Sequence, residues 1–214
     1  MTLESIIQNR NIDEVLHFTT NHGCLGSLYT DYLQSRQLLE GDELVKYLFK
    51  PNSSLRKDPG YINYVSLSIS HINHEFFQIS SNSWHRNDDI FWCIMSFTPD
   101  VLLHDDVEFA TTNNIYSGVI RGKGEEGFDR LFSPRVTRWN GNIVHRLDDL
   151  PPRFPTCFQA EALYPMKIST EHLQRIYVRT VEDQSEIIGF LKATLHRDVD
   201  VLINPEKFGE RQNG

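Results

Sequence analysis

The order of hydrophobic periods along this chain predicts a mixed α+β fold, and three observations carry the prediction. Helical spacing appears near the N-terminus, where Leu25, Leu28, Tyr29, Tyr32 and Leu33 fall at i, i+3, i+4, i+7 and i+8. Strict alternation dominates the middle. Tyr64 to Ser70 sets Val65, Leu67 and Ile69 on one face and Ser66, Ser68 and Ser70 on the other. Strand and helix patterns then interleave towards the C-terminus. This order leaves a decorated β-sandwich open beside α+β. It argues against a Rossmann or P-loop domain, because neither G-x-G-x-x-G nor G-x-x-x-x-G-K-[ST] follows any strand.

Taken in order, Leu3–Gln8 reads as a short helix and Ile12–Thr19 as a strand with a polar end. The stripe from Leu25 to Leu33 is one amphipathic helix. Asp42 is placed to cap a second, holding Leu44, Tyr47 and Leu48. Pro51–Gly60 is rich in turn residues and reads as a loop. The Tyr64–Ser70 strand follows. In Ile90–Phe97, Phe91, Cys93 and Met95 alternate against Trp92, Ile94 and Ser96. Val107–Ala110 is a short strand running into Thr111-Thr112-Asn113-Asn114, and Arg121–Pro155 is long and irregular. Phe158–Tyr164 reads as a strand. A short helix at Thr170–Gln174, a strand Arg175–Arg179, a helix Glu182–Leu195 and a strand Val199–Ile203 complete the chain.

At 214 residues, one domain spanning 1–214 is expected. Hydrophobic content of 39% with 11% aromatics suits a globular protein rather than a disordered one. No apolar run approaches the roughly 18–20 residues of a membrane span. The N-terminus lacks a basic segment followed by an apolar core, so no signal peptide and no membrane are expected. Cys24, Cys93 and Cys157 form no C-x-x-C pair, which suits reduced thiols in the cytoplasm. His71 and His74 are the closest histidine pair. No further ligand stands beside them, so no metal is expected.

The net charge of −8 disfavours a nucleic-acid binder until its distribution is considered. Arg121 to Arg146 carries +3 and the rest of the chain −11. A local positive surface on an acidic body can still hold a polyanion.

Read with a period of two, Phe158, Ala160, Ala162 and Tyr164 share an apolar face, and Gln159, Glu161 and Leu163 share the other. Gln159 and Glu161 would then project about 7 Å apart into one space. That space is either the wet face of an edge strand or the floor of a cleft, and the residues alone leave both open.

Four features stand in fixed order: a strand ending His17-Phe18-Thr19; the serine strand followed by His71 to Phe77; the turn Phe109-Ala110-Thr111-Thr112-Asn113; and Gln159-Ala160-Glu161 with Leu163, then Ile176–Val178. In these features the chain resembles the ADP-ribosyltransferase superfamily. Within it, the resemblance is to the DarT-type enzymes that modify bases of single-stranded DNA. It runs with gaps from about His17 to Val178.

The resemblance implies two small packed, mainly antiparallel sheets forming an NAD cleft, with peripheral helices. It implies transfer of ADP-ribose from NAD to a base of single-stranded nucleic acid, DNA before RNA. A protein side chain as acceptor, or a non-catalytic nucleotide-binding module, remains the alternative. Glu161 would stabilise the positive charge that builds on the ribose as nicotinamide departs. His17 and Thr19 would hold the nicotinamide and its ribose, and Phe77 would cover the ring. Arg56, with Arg36 competing, would contact the pyrophosphate and serve catalysis. Gln159 would read the acceptor base. Arg135, Arg138 and Trp139 lie just before the Glu161 strand and combine phosphate-pairing cations with a stacking surface for the strand of nucleic acid. A bacterial toxin or phage-defence role is implied too, with an antitoxin (a reversing hydrolase or an inhibitory protein) as partner.

Overall fold

The computed structural model describes residues 2–39, 59–86 and 90–211. The helix expected behind Asp42, most of the Pro51–Gly60 loop, and Arg56 lie outside the described residues. Helix α1 (Leu3–Asn9) is capped by the Thr2 hydroxyl, which accepts from the Ser5 N–H, and it buries Ile6 and Ile7. Strand β1 (Val15–Thr20) runs directly into α2 (Asn21–Thr30), where Thr20 Oγ1 accepts from the Gly23 N–H at 3.2 Å.

The helical stripe does not extend to Leu33 as the spacing suggested. Asp31 adopts the left-handed conformation (φ 59°), and Tyr32 and Leu33 belong to a strand, β2 (Tyr32–Gln34). The Thr30 hydroxyl bonds the carbonyls of Gly26 and Tyr32, fastening the turn, and Tyr29 is left exposed. An aspartate tolerates the left-handed region better than most residues, which makes position 31 a natural stop.

Next come the short helix α3 (Arg36–Leu39), β3 (Tyr64–Ile69), α4 (His74–Ile79) and β4 (Trp92–Phe97). The segment expected to be irregular contains more order than its composition implied. After β5 (Glu108–Ala110) it holds β6 (Arg121–Lys123), α5 (Gly124–Asp129) and a hairpin of β7 (Arg135–Thr137) with β8 (Ile143–His145). The chain closes with β9 (Glu161–Pro165), β10 (Lys167–Ser169), β11 (Leu173–Val178), α6 (Val181–Ala193) and β12 (Asp200–Ile203).

Eight of these strands form one sheet in the order β12-β11-β4-β1-β3-β9-β5-β6, and β2 pairs separately with β10. Every contact in the large sheet is antiparallel except β11–β12, which α6 connects. The two expected sheets are therefore halves of one, joined at the β1–β3 seam. That seam has only two paired positions, Val15 with Ile69 and Leu16 with Ser68. By contrast, β1 pairs with β4 over six positions and β3 with β9 over four. Past Leu16 the strands part.

Alternation reads correctly in both central strands. Val65, Leu67, Ile69, Cys93, Met95 and Phe97 point into the main core beneath both halves, which is closed by Phe109, Phe128 and Ile176. On the opposite face of the β4 half, Leu16, Ile72, Phe77, Trp92, Ile94, Tyr177 and Phe208 form a smaller cluster.

Candidate active site

The seam opens into a cleft with the two halves of the sheet as its walls. From β1 come His17, Phe18 and Thr19; from β3, Tyr64, Ser66 and Ser68. Where the backbone ladder lapses, a side chain replaces it: His17 Nδ1 lies 2.9 Å from the Ser66 carbonyl oxygen. A carbonyl only accepts, so Nδ1 carries the hydrogen, and a neutral His17 has its lone pair on Nε2. Helix α2 crowds the same wall. A Cβ at Gly23 would stand 2.1 Å from Thr19 Oγ1, so glycine there lets the helix approach with the threonine hydroxyl in place.

Glu161 enters from the other half. It is the first residue of β9, pairs with Ala110, lines the cleft beside His17 and Thr19, and is only 5% exposed. Its Oε2 accepts the main-chain N–H of Asn114 at 2.8 Å. Of the two settings the sequence left open, this is the cleft. Phe18, Phe76 and Trp92 add an aromatic wall, with ring centroids 5.6 Å apart for Phe18–Phe76 and 5.8 Å for Phe18–Trp92. Arg36, at the start of α3, adds a cation. Apolar ring faces, a buried carboxylate, hydroxyls and a guanidinium suit a dinucleotide with a ring at one end and phosphates at the other.

Residues 52–209 match a family described as DarT, ssDNA thymidine ADP-ribosyltransferase. The chain belongs to the DarT family. It is an NAD-dependent ADP-ribosyltransferase of single-stranded DNA. Among solved structures, it resembles DarT from Thermus sp. 2.9 in complex with NAD+, with TM-score 0.62 and 13% identity over 91% of this chain and 96% of that one. The same enzyme in complex with ADP-ribosylated ssDNA gives TM-score 0.60 and 11% identity, over 92% and 96%. DarTG from Thermosipho africanus, in complex with ADP-ribose, gives 0.60 and 15% over 92% of this chain; the chain spans about half (51%) of that longer one. No curated protein matches by sequence. At these identities the solved structures establish a common fold.

The other residues picked from the DarT resemblance are placed less uniformly. Phe77 does not reach the cleft. It is fully buried, edge-on to Phe18 and Trp92 and packed on Phe208, and the neighbouring Phe76 faces the site instead. Consecutive helical residues point about 100° apart, and the Asn73 cap, whose Oδ1 accepts the Phe76 N–H, fixes which one turns inwards.

Gln159 is not on the strand. The Ala160 N–H donates to the Cys157 carbonyl, so Cys157–Ala160 is a turn, and the alternation expected from Phe158 begins only at Glu161. Gln159 is instead buried in a three-membered polar cluster. Arg138 Nε and Nη2 donate to its Oε1 at 3.1 and 3.0 Å, and its Nε2 donates to Glu75 Oε2 at 2.9 Å. Arg138 closes the ring by donating to Glu75 at 3.0 Å and lies 4.7 Å over Phe158.

Trp139 is 55% exposed on the turn between β7 and β8, with Tyr116 edge-on at 5.4 Å. Arg135 is exposed on β7 beside a separate hollow that includes Arg130 and Ile143. The three cysteines are free and buried, and burial raises the Cys157 thiol above its ordinary value. Among the described residues, no three His, Cys, Asp or Glu side chains gather as metal ligands, and no helix is long and apolar enough to cross a membrane.

The sequence reading missed Phe76, Gly23 and Asn114. A signal existed for Gly23, since a glycine one turn after a strand-end threonine marks close packing. None existed for the other two.

Proposed function

We propose that the β1–β3 cleft is the NAD site of this transferase and that Glu161 is its catalytic carboxylate. One observation carries the reading: Glu161 is buried on one half of the split sheet and opens into the space that His17 and Thr19 line from the other half. NAD supplies a ribose carbon bonded to a good leaving group. Glu161 stabilises the positive charge on that ribose as the bond to nicotinamide breaks and the electron pair leaves with nicotinamide. A ring nitrogen of the base then forms the new bond to the same carbon, and its proton passes to Glu161 or to solvent.

His17 and Thr19 hold the nicotinamide end, Phe76 covers the ring, and Arg36 pairs with the pyrophosphate. The sequence-based assignment of Arg56 to that last role lies outside the described residues. Gln159, held by Arg138 and Glu75, presents a fixed amide towards the acceptor, and Trp139 offers a stacking surface. Thymidine is the acceptor we expect, as the family description names it. The large sheet draws strands from Val15 to Ile203, which supports one catalytic domain. The role we assign is that of a cytoplasmic toxin restrained by a reversing or inhibitory partner, and the likeness to a DarTG chain supports it.

The test is incubation with isotopically labelled NAD and, separately, single-stranded DNA, duplex DNA, RNA and cell extract, with mass spectrometry of each product. The expected product is ADP-ribose on a thymidine of single-stranded DNA. Label on protein or RNA with none on DNA would overturn the acceptor. Label on DNA undiminished in Glu161→Gln would overturn the site.

A further inference from the structure

We infer that Arg121 and Asn114 form a clasp that positions the Glu161 carboxylate, making them positioning residues for the transfer step. The inference rests on the reading of Glu161 given above. Composition grouped Arg121 with the cations expected to grip nucleic acid, but its guanidinium faces inwards. Nε donates to Asn114 Oδ1 at 2.6 Å and Nη2 donates to the Asn114 carbonyl oxygen at 2.6 Å. The same plane lies 4.8 Å from the Tyr61 ring centroid. Two donors of one rigid fork thus hold both the side chain and the main chain of a single residue. That residue, Asn114, is 3% exposed, and its N–H is the group that donates to Glu161 Oε2.

The sheet register makes the arrangement a closed loop. Arg121 pairs with Ala110 across β6–β5, and Ala110 pairs with Glu161 across β5–β9, so the arginine and the glutamate stand on one rung two strands apart. Residues 111–120 leave this rung and return to it. Their base is tied by the Thr111 N–H to the Ile120 carbonyl and by the Ile120 N–H to Thr111 Oγ1, at 3.0 and 3.2 Å. Arg121 closes the loop from within by pinning Asn114. The pinned N–H then fixes one carboxylate oxygen, so Glu161 holds one rotamer as charge develops on the sugar. A donor aimed in advance needs no reorganisation during the reaction. Asn114 Nδ2 is itself buried without a hydrogen-bond partner among the described residues, so what links Asn114 to the carboxylate is its main-chain N–H.

Asparagine also suits the position electrostatically. Aspartate would give Arg121 an equal acceptor but set a second negative charge beside Glu161, which disfavours the ionised carboxylate that the mechanism needs.

The experiment measures kcat and both KM values for transfer from NAD to single-stranded DNA in wild type, Arg121→Met, Arg121→Lys, Asn114→Ala and Glu161→Gln, with a thermal melt of each. Misplacing a reacting group by about 1 Å costs on the order of 10²-fold. Arg121→Met should therefore lower kcat by roughly 10–100-fold, with both KM values within about 3-fold of wild type. Asn114→Ala, which keeps the main-chain grip, should fall between the two. Arg121→Lys should recover only part of the loss, since an ammonium cannot reproduce the fork. A raised KM for DNA with unchanged kcat in Arg121→Met would make Arg121 a phosphate contact and overturn the clasp. Unchanged kinetics, or losses that merely follow unfolded protein in the melt, would overturn it as well. Wild-type transfer by Glu161→Gln would instead remove the reading beneath it, whatever the arginine variants do.

Discussion

The seam between β1 and β3 has a closed end and an open end, and each holds a buried glutamate used differently. At the closed end, the Ser70 N–H donates to the Glu14 carbonyl, and the Glu14 side chain is ringed by other side chains. Ser96 Oγ donates to its Oε2 at 2.9 Å, Tyr177 Oη at 2.8 Å, and Lys207 from the C-terminal turn pairs with Oε1. At the open end, Glu161 is held by a main-chain N–H and faces the cleft. The two are equally buried, at 4% and 5% exposure. Burial alone therefore does not tell the carboxylate we propose to be reactive from the other; their partners and their access to the cleft differ. A carboxylate ringed by a cation and two hydroxyls is spent on holding strands together. One fixed from behind by an amide keeps a face for a substrate.

The largest expected effect separates the two ends. Glu161→Gln should lower kcat for transfer by about 10²–10³-fold, the usual cost of removing one electrostatic stabiliser, while its melting temperature stays within a few degrees of wild type. Steady-state kinetics beside differential scanning fluorimetry would show this. A Glu161 variant that melts much earlier but turns over normally would exchange the roles assigned to the two glutamates.

Glu14→Gln should do the reverse. Loss of the charge leaves Lys207 unpaired and weakens two hydrogen bonds, costing about 1–3 kcal/mol of stability with kcat/KM close to wild type. The same end predicts a pH dependence. Burial, and the negative Glu14 beside it, push the Tyr177 phenol from about 10 up to about 12. A phenol whose folded value is raised contributes stability that is complete below about pH 10 and lost as pH climbs towards about 12. Urea melts from pH 9 to 12 should show that decline, and Tyr177→Phe should flatten it. An equally steep decline in the phenylalanine variant would place the titration elsewhere.

What the sequence revealed follows the same division. Strands β3 and β4 were readable because their alternation is set by burial on a sheet, so side-chain type reports the face directly. Helix α2 was overextended because Tyr32 and Leu33 continue its spacing, although the backbone reverses at Asp31. The start of β9 was misplaced for a similar reason. Phe158 and Ala160 alternate in hydrophobicity, but a turn closed by main-chain groups carries no side-chain signature. Phe76 and Phe77 could not be told apart, because the phase of α4 is fixed by its cap and not by the two rings. Glu161, His17 and Thr19 emerged from family resemblance, and Asn114 was invisible because its bond to Glu161 is made by the main-chain N–H, which carries no side-chain signature.

The acceptor side permits a smaller test of the same principle, that a held side chain and an exposed one do different work. Arg138 is fixed between Gln159 and Glu75, whose side chain is half exposed. Arg138→Gln should free Gln159 and raise KM for single-stranded DNA by roughly 10-fold, the scale of one charge-assisted hydrogen-bond network, with KM for NAD unchanged. A parallel rise in KM for NAD would tie the cluster to the dinucleotide instead.

Arg135 should give the smallest effect. It stands exposed on β7 beside Arg130 and Ile143, at the edge of a hollow, and among the described residues it has no network like the one that holds Arg138. A cation so placed can follow a phosphate without fixing its register, and its contribution comes mainly from releasing counterions. Each phosphate contact on a single strand adds about 0.7 to the slope of log affinity against log salt. Arg135→Gln should therefore make that slope shallower by about 0.7, with an affinity loss of only a few-fold near 0.15 M salt and kcat unchanged. Fluorescence anisotropy of a labelled oligonucleotide, titrated at four or more salt concentrations, measures it. A slope that does not move would mean that the strand leaves the cleft by another face, and the cations of the hairpin would then be surface charge on an acidic protein. A slope that falls together with kcat would mean that Arg135 orders the acceptor base as Arg138 does, and the distinction between held and exposed cations would disappear.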